Sequence, residues 1–119
     1  MTVRSAGRPV ELAASPGYRD IAPADLARGG RARRVVDVRE PEEFSGPLGH
    51  IAGADLVPLA ILESCAARWD HEEQIAVVCR SGKRSARAAV LLVRLGFKDV
   101  LNVEGGMQAH VGAGLPVAR

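Results

Sequence analysis

The segment Ile75 to Ala89, IAVVCRSGKRSARAA, carries a cysteine where an apolar run stops and a helix-forming run starts. This arrangement can put the Cys79 thiol in a cup of backbone N–H groups at a helix N-terminus, a setting that stabilises anions and lowers a thiol pKa. Arg80, Lys83 and Arg84 lie in the same loop, and Arg87 follows closely. Cations there run against ordinary helix design, because the N-terminal end of a helix carries partial positive charge and favours Asp or Glu. A local rule broken with no acid nearby points to a missing anion: the thiolate itself, its sulfur adduct or a charged substrate. Gly82 lets the loop curl so that successive amides face inward as an anion nest. Ser81 and Ser85 can donate hydrogen bonds to the sulfur or to a bound oxyanion, and either can instead cap the helix. The bland alternative is a solvated basic loop around a buried structural cysteine. Reactive cysteines favour electropositive helix starts and inert ones favour apolar surroundings, which decides for the reactive reading. That reading requires a thiol reached by solvent and a perturbed ionisation.

Two reaction classes fit a thiolate in a cationic nest. In one, it attacks the outer sulfur of a sulfur donor, becomes a persulfide and releases an anion such as sulfite; a second nucleophile then removes the sulfur. In the other it attacks phosphorus, as in cysteine phosphatases. Their loop places His before the Cys and Arg after five intervening residues. Here Val78 precedes Cys79, Ser85 stands where that Arg belongs, and Arg84 comes one residue early. The loop is too short to wrap a phosphate in that way, so sulfur transfer is the favoured class.

The elements that must position this loop alternate along the chain. Tyr18–Ile21, Arg34–Val38, Ala54–Val57, Gln74–Val78 and Asp99–Val103 read as strands. Helical patterns start at Ala22 with an early Pro23, run over Leu59–Trp69 and Ser85–Leu95, and follow the Gly105-Gly106 pair. Arg39 to Phe44 reads as a turn with one helical turn, and residues 46–50 as loop. This alternation predicts an α/β fold with a mainly parallel sheet, and Cys79 sits at the carboxyl end of a central strand, where such sheets bind ligands. Residues 1–16 read as a flexible N-terminal leader with a short extended piece at Val10–Leu12, and residues 17–119 as one domain.

Composition narrows the function further. At 119 residues the chain can bury a core without staples. Aromatic residues are only 3%, so that core must be Ala, Val, Leu and Ile. The net charge of +2 is modest, and scattered Arg without aromatic interleaving gives nucleic-acid binding no support. Cys65 and Cys79 form neither a zinc pattern nor a CxxC pair, so reduced thiols in the cytoplasm are the expectation. The first seventeen residues lack the apolar run of a signal peptide, and no segment approaches a membrane span. His50, His71 and His110 show no metal-ligand spacing. No metal or organic cofactor is implied.

Other candidates have plainer readings. Asp37 ends a strand on the active-site side and is expected to bond loop amides or pair with a nearby Arg rather than to do chemistry. Arg39 and Glu43 are read as a loop-fixing ion pair, and His50 as a turn-stabilising side chain. Cys65 could resolve a persulfide as a disulfide, but its apolar helical surroundings favour a structural thiol. Trp69 reads as a core or rim anchor.

Four ordered segments carry a family resemblance: VDVREPEEF at residues 36–44, GHIAGA at 49–54, CRSGKRS at 79–85 and NVEGGM at 102–107. Together they resemble the successive signatures of a single-domain rhodanese and cover about residues 18 to 117. The resemblance implies a five-stranded parallel sheet with helices on both faces. It also implies a Cys79 persulfide intermediate and thiosulfate sulfurtransferase activity, moving sulfane sulfur from thiosulfate or a related persulfide donor to cyanide, a thiol or a protein. Arg80 to Ser85 would then form the anion-binding loop, with Asp37, Arg39 and His50 in support. A sulfur-carrier or regulatory module serving a partner protein would use the same residues. One departure is visible: His110 stands where the family usually has a Trp in the final helix, which implies local repacking rather than catalysis by His110.

Overall fold

A computed structural model of the chain describes residues 17–29 and 34–119. The leader and the extended piece at Val10–Leu12 fall outside the described residues. Five strands, β1 (Arg19–Ile21), β2 (Arg34–Asp37), β3 (Asp55–Leu56), β4 (Gln74–Val78) and β5 (Asp99–Val103), form one sheet in the order β1-β5-β4-β2-β3. Every pairing between them is parallel. The helices are α1 (Pro23–Gly29), α2 (Pro41–Phe44), α3 (Leu62–Ala66), α4 (Lys83–Arg94) and α5 (Gly106–Gly112).

The central strand β4 shows why helices cover both faces. Ile75, Val77 and Cys79 point into one buried cluster with Leu62 of α3 and Ala88, Ala89 and Leu92 of α4. Ala76 and Val78 alternate to the other face, with Leu26 of α1, Met107 of α5, Leu101 and Val103. A strand buried on both sides reads as a continuous apolar run rather than an alternating one.

The first three strands are one or two residues shorter than the sequence expectation, and two helices differ from it more. The helix expected over Leu59–Trp69 is a 3-10 turn at Leu59–Ile61 followed by the short α3. Pro58 sets the entry, and the β-branched Ile61 leaves helical geometry at φ −112°, ψ 5°, which splits the pattern. Helix α4 starts at Lys83, two residues before the expected Ser85, because Gly82 makes the turn. Beyond α5 the chain folds back, and Ala118 pairs with His50 in an antiparallel bridge. Among the described residues no helix is long and apolar enough to cross a membrane.

Candidate active site

Cys79 follows β4 directly, so the sheet itself delivers its thiol to the loop. Gly82 takes φ +106°, a left-handed conformation open to glycine at little cost. That turn aims the Gly82 N–H at Cys79 Sγ, 3.1 Å away, while Ser85 donates its hydroxyl from the first turn of α4 at 3.3 Å. Burial pushes the Cys79 thiol pKa up, but the Ser85 hydroxyl and the amides of Ser85, Gly82 and Ser81 outweigh it and hold it below its ordinary value. Neither serine caps α4: Gly82 is the N-cap residue and no side chain bonds the cap. Ser85 is instead buried and turned onto the sulfur.

Cys79 is 1% exposed, which corrects the expectation of a thiol reached by solvent. The groups that polarise the sulfur also close over it. The Gly82 amide and the Ser85 hydroxyl face inward, and α5 holds the loop from outside. The Met107 N–H donates to the Cys79 carbonyl at 2.8 Å and the Gln108 N–H to the Arg80 carbonyl at 3.0 Å. Gly106 makes this clamp sterically feasible. It has φ +60°, and a Cβ there would overlap both carbonyl oxygens. The Gly-Gly pair marked a helix start in the sequence; only the fold shows what the second glycine lies against.

One of the expected ion pairs is not formed. Arg39 does not pair with Glu43. Its Nε and Nη2 grip the two Asp37 carboxylate oxygens at 2.9 and 2.8 Å, and Nη2 also donates to the Gly49 carbonyl at 2.7 Å. Both side chains are essentially inaccessible. This buried pair ties the end of β2 to the 46–50 loop. Glu43 turns the other way because α2 fixes it there: its Oε1 accepts the Glu40 N–H at 2.9 Å and faces α4. Arg84 then binds both Glu43 oxygens, Nη1 at 2.7 Å and Nη2 at 2.8 Å. The Arg84 hydrogen bond is the main reason the Glu43 pKa drops to about 2; burial opposes it, and the Glu40 amide and the Arg84 and Arg39 charges assist. Glu43 in turn raises the Arg84 pKa against the opposing effect of burial, and the Cys79 charge adds to the rise. Arg84 is therefore a held charge beside the sulfur, not a free anion-binding arm. Arg80 and Lys83 are exposed and make no ion pair among the described residues.

The remaining candidates are supports. His50 donates from Nδ1 to the Phe44 carbonyl at 2.9 Å and stacks on the Phe44 ring at 3.7 Å, pinning the turn between α2 and β3. His110 is buried and donates from Nε2 to the Pro116 carbonyl at 2.9 Å. It anchors the segment after α5, where a larger indole was expected from the family pattern. Cys65 is half-buried against the first core cluster, a setting that suits a structural thiol. Trp69 packs edge-on to Phe97 and lies under the Arg34 guanidinium, 4.5 Å from the ring centre.

Comparison with known proteins agrees with this geometry. The family model of the rhodanese-like domain matches residues 22–113. YrkF of Bacillus subtilis, named as a candidate sulfur carrier protein, is 38% identical over 78 residues, which are 66% of this chain but 41% of that one. The chain thus spans less than half the length of that relative. Thiosulfate sulfurtransferase 16 of Arabidopsis thaliana is 37% identical over 104 residues, covering 77% of this chain and 83% of that one. The crystal structure of a rhodanese-related protein from Thermoplasma volcanium superposes with a TM-score of 0.76 at 37% identity, covering 85% of this chain and 98% of that one. A buried cysteine in an amide cup, on an all-parallel five-stranded sheet matched along most of its length, places the chain in the rhodanese-like domain family.

Proposed function

We propose that this protein is a sulfurtransferase that carries sulfane sulfur on Cys79 as a persulfide, from thiosulfate or a related persulfide donor to a thiophilic acceptor: cyanide, a thiol or a protein. The observation that carries the reading is the pair of donors, the Gly82 amide and the Ser85 hydroxyl, aimed at Cys79 Sγ. They stabilise the thiolate before attack and again when it leaves. In the first step the thiolate attacks the outer sulfur of thiosulfate. A Cys79–sulfur bond forms, the donor S–S bond breaks, and sulfite departs with both electrons. The acceptor then attacks that same sulfur and returns the thiolate. Arg80 and Lys83 draw the donor anion in, and the held Arg84 charge stays beside the reacting sulfur. Because Cys79 is so deeply covered, the loop between it and Arg84 has to yield to the incoming donor.

That burial supports a second reading, a sulfur carrier or regulatory module that a partner protein loads and unloads. A cysteine phosphatase is disfavoured on the short loop and on Arg84, whose fork is taken by Glu43. Incubation with thiosulfate should add one sulfur atom to the intact protein mass, and Cys79→Ser should abolish the gain. Unchanged mass with every sulfane donor, including a protein persulfide, would falsify sulfur transfer at Cys79. Slow thiosulfate turnover beside fast transfer from a protein persulfide would select the carrier, and phosphate release from an aryl phosphate is expected to be negligible.

A further inference from the structure

The sequence sets Arg80, Lys83, Arg84 and Arg87 after Cys79 with no acid among them, yet the fold brings one in. Glu43 of α2 fills both arms of the Arg84 fork, at 2.7 and 2.8 Å. Arg84 is close enough to Cys79 for the two charges to interact, and Glu40 adds a weaker negative charge from the same turn as Glu43. A guanidinium fork is well shaped to hold an oxyanion at two points. Here the arms that would do so are already taken by a carboxylate.

Glu43 is fixed in place. Its Oε1 accepts the Glu40 N–H at 2.9 Å, and the Glu40 side chain accepts the Glu43 N–H in return, a capping box at the start of α2. With its pKa at about 2, Glu43 is ionised wherever a thiolate reacts. It also faces the way in. A cavity of about 370 Å³ beside the Cys79 loop is lined by Arg39, Glu43, Pro47, Leu48, Arg80 and Gln108. Arg39 brings no net charge to that lining, because Asp37 is bound to it. The lining therefore sets Glu43 against Arg80 and is not a cationic cup. The Glu43–Arg84 pair is about one-third exposed, so an incoming anion meets both of its charges.

We propose that Glu43 is a specificity-determining residue for the sulfur donor: by filling the Arg84 fork and fixing a negative charge at the mouth of the site, it selects against doubly charged oxyanions and for donors of lower charge, an alkyl or protein persulfide. The inference rests on the sulfurtransfer reading above. With a persulfide donor the Cys79 thiolate attacks the terminal sulfur. A Cys79–sulfur bond forms, the donor S–S bond breaks, its electron pair leaves on the donor thiolate, and the proton stays on the transferred sulfur. One thiolate is exchanged for another, so the step makes no use of an open Arg84. Thiosulfate instead brings two negative charges to a thiolate and departs as sulfite, which also carries two. An open Arg84 fork would stabilise that load, and a filled one does not. Discrimination of this kind is a difference between two affinities, set here by repulsion as much as by attraction.

Two donors of similar shape read this selection. Thiosulfate carries two negative charges; in the methanethiosulfonate ion a methyl group replaces one oxygen and one charge remains. Each gives its outer sulfur to Cys79, releasing sulfite or methanesulfinate. Glu43→Gln keeps the side chain's size and an oxygen for the Glu40 N–H. It should raise kcat/KM for thiosulfate roughly four- to tenfold, mainly through KM, and for methanethiosulfonate by only about two- to threefold. Glu43→Asp, which restores the charge, should return the ratio of the two toward wild type. A second readout needs no transfer: at constant ionic strength, sulfate should protect Cys79 from the neutral alkylator iodoacetamide at lower concentration in Glu43→Gln and at higher concentration in Arg84→Gln. If Glu43→Gln changes both donors by the same factor while Cys79 still takes up sulfur, Glu43 only braces the loop; donor selection is refuted and sulfur transfer stands. If sulfate protection shifts as expected but no donor ever loads Cys79, donor selection is overturned along with the sulfurtransfer reading.

Discussion

Gly106→Ala is the sharpest perturbation of the architecture that holds the cysteine loop. The alanine methyl would lie 2.5 Å from the Arg80 carbonyl oxygen and closer still to that of Cys79. Both atoms are backbone, so neither can swing aside. Relief requires α5 to move away, which breaks the Met107 and Gln108 N–H bonds to those carbonyls. Each bond is worth about 1 kcal/mol, and a buried carbonyl left unpaired costs about 1–3 kcal/mol more. Holding alanine at φ +60° adds about 1–2 kcal/mol. With one buried carbonyl left unpaired, we expect a loss of about 4–7 kcal/mol, seen in thermal denaturation as a Tm drop of roughly 15–30 °C for a domain this size. Gly112→Ala is the control: it ends the same helix, an added methyl there would meet nothing within 4 Å, and the change should be neutral or slightly stabilising. A Gly106→Ala protein melting within about 2 °C of wild type would show that the close approach of α5 to the loop is not what holds it.

Three further outcomes follow from the site. Arg39→Ala strands the Asp37 carboxylate in the interior and should cost about 3–5 kcal/mol in urea unfolding; a loss below about 1 kcal/mol would contradict the buried pair. Glu43 has its folded pKa lowered from 4.5 to about 2, so its contribution is complete above pH 4.5 and disappears as pH falls toward 2. Glu43→Gln should therefore be less stable than wild type at pH 7, by about 1–2 kcal/mol after allowing for solvent screening of a pair about one-third exposed. The gap should narrow on acidification from pH 5 to pH 3, and a pH-independent gap would refute the linkage. Ser85→Ala removes a hydroxyl that favours the thiolate, so the pH midpoint of Cys79 alkylation should move upward; a downward or absent shift would count against the amide-and-hydroxyl cup.

Much of this was legible from residue order because it depends on local chemistry. An apolar strand, a cysteine, a glycine and a helix start in succession are enough to predict a polarised thiol, and alternating strand and helix patterns are enough to predict a parallel sheet. The split of the Leu59–Trp69 pattern was not legible, since Leu59, Leu62, Ala66 and Trp69 share helical spacing whether or not Ile61 breaks the geometry. The partner of Glu43 was missed for a different reason. Arg39 is its neighbour in sequence, whereas Arg84 is 41 positions away and meets it only when α2 and α4 come together.

The chain's order of residues alone pointed to the sulfur we propose as the reacting atom, and determined which loop surrounds it and what kind of sheet presents it, because strand period, glycine turns and helix-start dipoles act over a few residues. Tertiary structure alone decided that the thiol is covered, that Arg84 is held by an acid while Arg80 makes no ion pair among the described residues, and that Gly106 lies against the loop carbonyls. It also brought Pro47, Leu48 and Gln108 to one cavity. Those outcomes depend on distances between segments far apart in the chain, which are set when the two sheet faces pack and not before.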